Sequence, residues 1–244
     1  MELIGFVLLL LLLPALLFLV LRVRAGKLGE LRRLPGMEEL PRSVGRSAET
    51  NQPLHVSVGV AGVGGAATAE TWAGLALLTE LADQAAASDA PLIVTVGDPT
   101  VLPIAQDILR RAYVRHGQPD GYDPTQVRFI APIPLAYAAG VTGLLQREPL
   151  RGNFMLGTFG DEYLLMGETG ARKGVTQIVG AADPRTLPFV YATADEPLIG
   201  EEMFASSSYA GRSPLQVASL LAEDWARWAV IAGIVGLAIF KVLG

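Results

Sequence analysis

Two long apolar runs bracket a chain whose middle alternates short apolar stretches with helical periodicity. Residues 3–21 are almost unbroken apolar, about 19 residues, near the length a helix needs to cross the hydrocarbon core of a bilayer. Residues 225–243 are apolar again apart from Arg227 and Lys241. The fully apolar part of that second run, 229–243, is short for a span. Its helix is therefore expected to begin earlier, near Pro214, as an amphipathic stalk reading LQVASLLAEDWARW. Between the runs, residues 55–60 read as a strand. A helix over 69–88 follows, with Leu75, Leu78, Leu81, Ala82 and Ala85 at helical spacing. Residues 92–96 form a continuous apolar run between Pro91 and Gly97, as buried parallel strands do. The pattern continues as helix 102–116, strand 127–131, helix 135–146, strand 153–158, helix 161–171 and strand 176–181. It closes with a sixth strand at 189–193 and a helix at 199–209.

Strands alternating with helices predict an α/β fold: a Rossmann-like three-layer sandwich with a parallel sheet, flanked by N- and C-terminal transmembrane helices. The expected division is a transmembrane helix at 1–23, a basic juxtamembrane linker at 24–53, the α/β domain at 54–212, and the stalk with its transmembrane helix at 213–244. A cleaved signal peptide fits the first run poorly. Glu2 stands where a positive n-region is wanted, and the run ends in Leu21-Arg22-Val23-Arg24 rather than at a small-residue cleavage site. Pro14 is tolerable in a lipid-embedded helix when the freed backbone groups find partners.

Charge sets the expected orientation. Arg22, Arg24, Lys27, Arg32 and Arg33 follow the first run closely, and before it only the amino terminus is positive. The positive-inside rule then puts the domain in the cytoplasm and both termini outside. Trp225 and Trp228 suit an interfacial anchor at the second run. The basic connector reads as a solvated linker or as a contact for anionic lipid headgroups. The 51% hydrophobic composition exceeds the ordinary range, and the two runs account for the excess. A net charge of −5 gives no support to a nucleic-acid partner. With no cysteine, the chain has no disulfide, thiolate metal site or thiol nucleophile.

The sharpest local pattern is Gly59-Val60-Ala61-Gly62-Val63-Gly64-Gly65-Ala66-Ala67, between the first strand and a long helix. Gly62, Gly64 and Ala67 match G-x-G-x-x-A, in which glycines let the backbone approach a pyrophosphate at a helix N-terminus. Gly62, Gly64, Gly65 and Asp98 are accordingly the candidate cofactor-binding residues, the cofactor being a nucleotide. Asp98 stands about 30 positions past Ala67, where the fingerprint expects roughly 20. The plain alternative is a tight βα turn with close helix–sheet packing. Asp98, Asp161, Glu162, Asp183, Asp195 and Glu196 cluster at expected strand ends, where ligands bind in parallel sheets but where helix caps and first turns also take acids. Asp98-Pro99 and Asp183-Pro184 each follow a strand and precede x-x-Leu-Pro, an echo that is turn chemistry or a duplicated half-domain. Ser206, Ser207 and Ser208 lack a nucleophile elbow. His55 is expected at the core edge or exposed, and His116 at a helix end where a cation suits the macrodipole. No catalytic or metal site is predicted.

The segments HVSVGVAGVGGAATAETWAGL, VTVGDPTVLPIAQDILRRAY, FIAPIPLAYAAG, GTFGDEYLLMGETG, GAADPRTLP and YATADEPLIGEEMF resemble a family of bacterial membrane proteins known only as a domain of unknown function. The resemblance implies two anchors around one α/β domain as a complete design, in the bacterial inner membrane. It brings no activity, cofactor or catalytic residue. Two expectations follow. The first is a non-catalytic membrane scaffold that meets lipid and assembles into a homo-oligomer, with Ala232, Gly233, Gly236 and Ala238 permitting close helix contact in the last run. The alternative is a membrane-tethered nucleotide-binding or sensing domain using the Gly-rich loop 59–67.

Overall fold

The six strands lie in one parallel sheet in the order β3-β2-β1-β4-β5-β6. The computed structural model describes Leu21, residues 34–211, Arg227, Trp228 and Ile231. In chain order the elements are α1 (Pro35–Thr50), β1 (Leu54–Gly59), α2 (Thr68–Ser88), β2 (Leu92–Val96), α3 (Leu102–Arg115), β3 (Val127–Phe129), α4 (Pro134–Arg147), β4 (Gly152–Thr158), α5 (Tyr163–Lys173), β5 (Thr176–Ala181), α6 (Leu187–Thr193), β6 (Glu196–Ile199) and α7 (Glu201–Gly211). Residues 34–210 form one unit. The α/β class and the parallel sheet are as the periodicity predicted.

Each central strand is covered on both faces, so its side chains sort by parity. Val94, Val56, Phe154 and Ile178 are in register across β2, β1, β4 and β5 and face one apolar layer. That layer is completed by Leu40 and Val44 of α1, Leu75, Leu78 and Leu81 of α2, Leu109 of α3 and Met203 of α7. Met155 and Val179 face the other layer, with Tyr137, Val141 and Leu145 of α4, Tyr163 and Met166 of α5 and Val190 of α6. The helices following β1 and β2 thus cover one face, and those following β4 and β5 the other.

Three expectations need correction. The stretch 24–53, read as a linker, holds α1 from Pro35. Met37, Leu40, Val44 and Ser47 are buried at helical spacing on one stripe, and Pro35 sits in the first turn, where a missing N–H costs nothing. Gly36, Pro41 and Gly45 hid that stripe in the sequence, yet Gly36 is where the helix meets the sheet. A Cβ there would lie 3.2 Å from Ile178 Cγ2. The sixth strand is not at 189–193: the Phe-Val-Tyr run belongs to α6, and β6 is Glu196–Ile199, an edge strand that tolerates Pro197. The last helix starts at Glu201 rather than at 199.

Among the described residues no helix is long and apolar enough to cross a membrane. The two expected spans, 3–21 and 229–243, lie almost wholly outside those residues.

Candidate functional site

The strand order turns at β1 and β4: chain leaves β1 toward one face and β4 toward the other. In doubly wound sheets with this order, the crevice outside the carboxyl ends of those two strands is the ligand site. The Gly-rich loop stands on one side of it and Phe159 to Glu162 on the other.

Close backbone contact shapes the base of the crevice. Gly59 has φ +88°, and a Cβ there would meet Thr158 N and O at 2.7 Å. Val60 N donates to Thr158 O at 3.1 Å, so the two strands stay paired up to the turn. Gly62 faces Asp98: a Cβ on Gly62 would fall 2.5 Å from the carboxyl carbon. The structure therefore brings Gly62 and Asp98 together across the β1 and β2 loops. Gly64, with φ +101°, and Gly65 stand exposed at the loop tip with open space beside them. Two loop donors are already engaged. Val63 N donates to Thr100 Oγ1 at 3.3 Å, and Gly64 N donates to Thr68 Oγ1 at 2.9 Å.

The charge around the crevice is acidic. Asp98, Asp161, Glu162, Asp183 and the first-turn Glu70 of α2 stand in the segments around it, and Arg185 pairs with Asp183 at 2.7 Å. Fixed acids and the positive end of α2 oppose each other here, so a bound pyrophosphate needs a neutralising cation. Thr158 Oγ1 and Glu70 Oε2 are buried side-chain atoms without a hydrogen-bond partner. Among the described residues no group of three or more His, Asp or Glu side chains is placed to hold a metal ion.

Asp98 and Asp183 at strand ends, and Asp123 ahead of β3, are turn formers, whereas Asp195 accepts from Gln177 N of β5 at 2.8 Å. Asp98 accepts from Thr100 N at 2.8 Å, Asp123 from Thr125 N at 2.8 Å, and Asp183 from Arg185 N at 2.9 Å. In each case Pro intervenes and the carboxylate closes a turn two residues on. The Thr125 hydroxyl and then its amide hold the Asp123 carboxyl below its ordinary range, and the Arg185 guanidinium and then its amide do the same for Asp183. The echo seen in the sequence is thus repeated turn chemistry, and it recurs at a third place, Asp123-Pro124, that the sequence reading passed over.

A polar cluster missed by the sequence reading lies under α4. His55, Asn153 and Gln177 are in register on β1, β4 and β5, and Ser57 and Thr95 are in register on β1 and β2. All five are fully buried. His55 is therefore not at the core edge. It bonds Asn153 Oδ1 through Nδ1 at 2.7 Å and Thr95 Oγ1 through Nε2 at 2.9 Å. Tyr137 OH lies 2.7 Å from Ser57 Oγ and 2.8 Å from Thr95 Oγ1. Burial lowers the His55 pKa to about 4, against a smaller opposing effect of the Asn153 bond, and pushes the Tyr137 hydroxyl up to about 12. The signal for the cluster was present as polar residues at alternate positions within otherwise apolar strands. His116 does end α3, at 3.3 Å from Asp83.

A separate cleft of about 190 Å³ lies at the ends of α4 and α5, lined by Gln146, Glu168, Thr169, Arg172 and Lys173. Lys173 Nζ donates there to Gln146 O at 2.7 Å and Glu148 O at 3.3 Å. A cation on the last carbonyls of α4 is a helix-end device.

Exposed apolar side chains lie at the starts of α4 and α5 and on α6, and others, among them Trp72 of α2, Val114 of α3 and Phe204 of α7, lie elsewhere. Ile133 and Leu135 at the start of α4 are 63% and 62% exposed, Leu165 at the start of α5 45%, and Tyr191 on α6 72%. Every residue from Pro132 to Ala136 is exposed.

Residues 1–243 match the family described as Domain of unknown function (DUF6754), and the chain belongs to that family. No curated protein and no solved structure matches it.

Proposed function

We propose that this member of the DUF6754 family is a membrane-anchored, non-catalytic scaffold whose domain self-assembles into a homo-oligomer. The apolar side chains at the starts of α4 and α5, with Tyr191 of α6, carry this reading. Five consecutive exposed residues, Pro132 to Ala136, together with exposed Leu164, Leu165 and Tyr191, offer apolar side chains for a second copy to cover. Strand addition is a poor route to assembly, because β3 has only three residues and β6 carries Pro197. Lateral packing of these side chains remains.

Anchoring rests on the two apolar runs. Leu34 and Met203 of α7 share one apolar layer, so α1 and α7 pack on the same face of the sheet. The positive residues after the first run favour a cytoplasmic domain on the inner face of a bacterial membrane, in contact with its lipids. Ile133→Asp with Leu135→Asp changes only exposed side chains. The intact chain in gentle detergent should run at several times its 25.8 kDa mass, and the double variant as a smaller species. A wild-type monomer would end the proposal.

A second reading is favoured by one observation, the Gly-rich loop at the turning point of a 3-2-1-4-5-6 sheet with Asp98 against Gly62. In it, Gly62, Gly64, Gly65 and Asp98 hold a nucleotide, which supplies the signal the scaffold answers to. Nucleotide retained on purification, and lost on Gly64→Val, would promote it over the first.

A further inference from the structure

The hydrogen positions of the buried row under α4 follow from one end. Gln177 Nε2 faces two backbone carbonyls, Gly167 O at 2.9 Å and Thr193 O at 2.7 Å. Carbonyls only accept, so the amide nitrogen is fixed there and Oε1 must face Asn153. Asn153 then turns Nδ2 to that oxygen, at 2.8 Å, and leaves Oδ1 toward His55. Oδ1 only accepts, so the hydrogen of His55 sits on Nδ1. With no carboxylate among its partners and full burial, the ring is neutral, and Nε2 is a bare acceptor. Thr95 donates to it. Thr95 Oγ1 accepts from Tyr137, whose hydroxyl also has Thr95 O at 3.2 Å. Tyr137 accepts from Ser57, and Ser57 Oγ accepts from Gly59 N at 3.3 Å.

We infer that Ser57, Tyr137, Thr95, His55, Asn153 and Gln177 form a one-way hydrogen-bond chain that locks the register of the sheet, with His55 held as the Nδ1–H tautomer. Apart from the longer contact of the Tyr137 hydroxyl with Thr95 O, each donor points from the Gly59 N–H, at the turn out of β1, toward carbonyls of α5 and α6. The chain crosses the β1–β4 line and ties four strands to the three helices of one face. Both ends are backbone groups and all six side chains are fully buried, so the chain presents none of them to a substrate. The chain holds position and relays no proton to a site. A slip of one residue in β1 or β4 would carry these side chains to the opposite, apolar layer with their bonds unmade, whereas an all-apolar row would tolerate the slip. Buried polar rows can specify a single arrangement in this way when every member is satisfied.

The ring nitrogens report the direction. The intact chain would be labelled with 15N-histidine in detergent micelles, and a His116→Asn variant would identify the other of its two histidines. At pH 7 the expected spectrum for His55 is a static ring with its proton on Nδ1 and an acceptor-type Nε2. In Thr95→Val the proton stays on Nδ1, because Asn153 holds it, and only the Nε2 signal moves. A proton on Nε2, an imidazolium at pH 7, averaged ring signals, or a tautomer that flips in Thr95→Val would each overturn the lock. The wild-type spectrum is decisive even if the variant misfolds.

Discussion

His55 is uncharged at neutral pH because no carboxylate lies among its partners and Arg128 adds a weak repulsion to the cost of burial. Its folded pKa of about 4 lies below the ordinary 6.5. The unfolded chain therefore takes up a proton between those values while the folded chain does not. The stability that neutral His55 contributes is complete above pH 6.5 and falls as pH drops toward 4, by roughly 3 kcal/mol. Asp107, Asp123 and Asp183, whose pKa values are lowered, lose their contribution only below this window, whereas Glu196, raised mainly by burial, takes up its proton at its lower end and offsets part of the loss. Denaturant titrations at pH 7, 5.5 and 4.5 should show the loss. A flat profile over that range would mean that the ring is hydrated or already charged. At the same scale, the sequence offered Asp98 and the glycines as one candidate site. It could not indicate that Asp98 sits against Gly62, since that contact joins two separate βα loops.

Helix α2 is the element on which the switch-point side of the domain depends. Gly74 lets it lie directly on β4: a Cβ there would fall 2.3 Å from Leu156 O and 3.0 Å from Val58 Cγ1. Gly74→Ala should lower the unfolding free energy by about 2 kcal/mol, the overpacking strain exceeding the helix-propensity gain of roughly 1 kcal/mol. Gly45 in α1 has nothing within 4 Å of the same position, so Gly45→Ala should stabilise by roughly 0.5–1 kcal/mol. Urea unfolding of both variants gives a matched pair, and equal responses would show that α2 does not bear on β4 as described. The helix was legible from its apolar spacing. The role of Gly74 was not, because a mid-helix glycine looks the same whether it meets a backbone or open solvent.

At the scale of the molecule, residues 34–211 carry 11 Arg and Lys against 20 Asp and Glu, a net of −9, while residues 1–33 carry five basic residues against two acids. An acidic domain behind a basic connector suits the proposed arrangement, in which anionic headgroups attract the connector and repel the domain. Reporter fusions at the two termini should read outside, and an insertion near Glu201 should read cytoplasmic. Neutralising Arg22, Arg24, Arg32 and Arg33 together should weaken that orientation. A cytoplasmic signal from either terminus would overturn the topology. In that proposed arrangement a domain tethered at both ends would meet its copies with part of the orientational entropy already lost, which would reduce the cost that side chains such as Ile133, Leu135, Leu165 and Tyr191 have to overcome.

The amino-acid order alone determined most of the elements and the fold class. Periodicity is a local property, and β1, β2, β4, β5 and the helices α2 to α5 each carry it within their own residues. It misled where local signals conflict. Pro and Gly masked the buried stripe of α1, and a β-branched and aromatic run became α6 because Asp183-Pro184 starts a turn that leads directly into a helix. Tertiary structure alone decided the strand order and the meeting of Gly62 with Asp98. It also decided which apolar side chains stayed outside, and the burial of His55 against Asn153, 98 residues away. Those depend on which strands become neighbours. No window of sequence contains both partners, so the polar positions that look misplaced within β1, β4 and β5 acquire their reason only when the sheet sets them side by side.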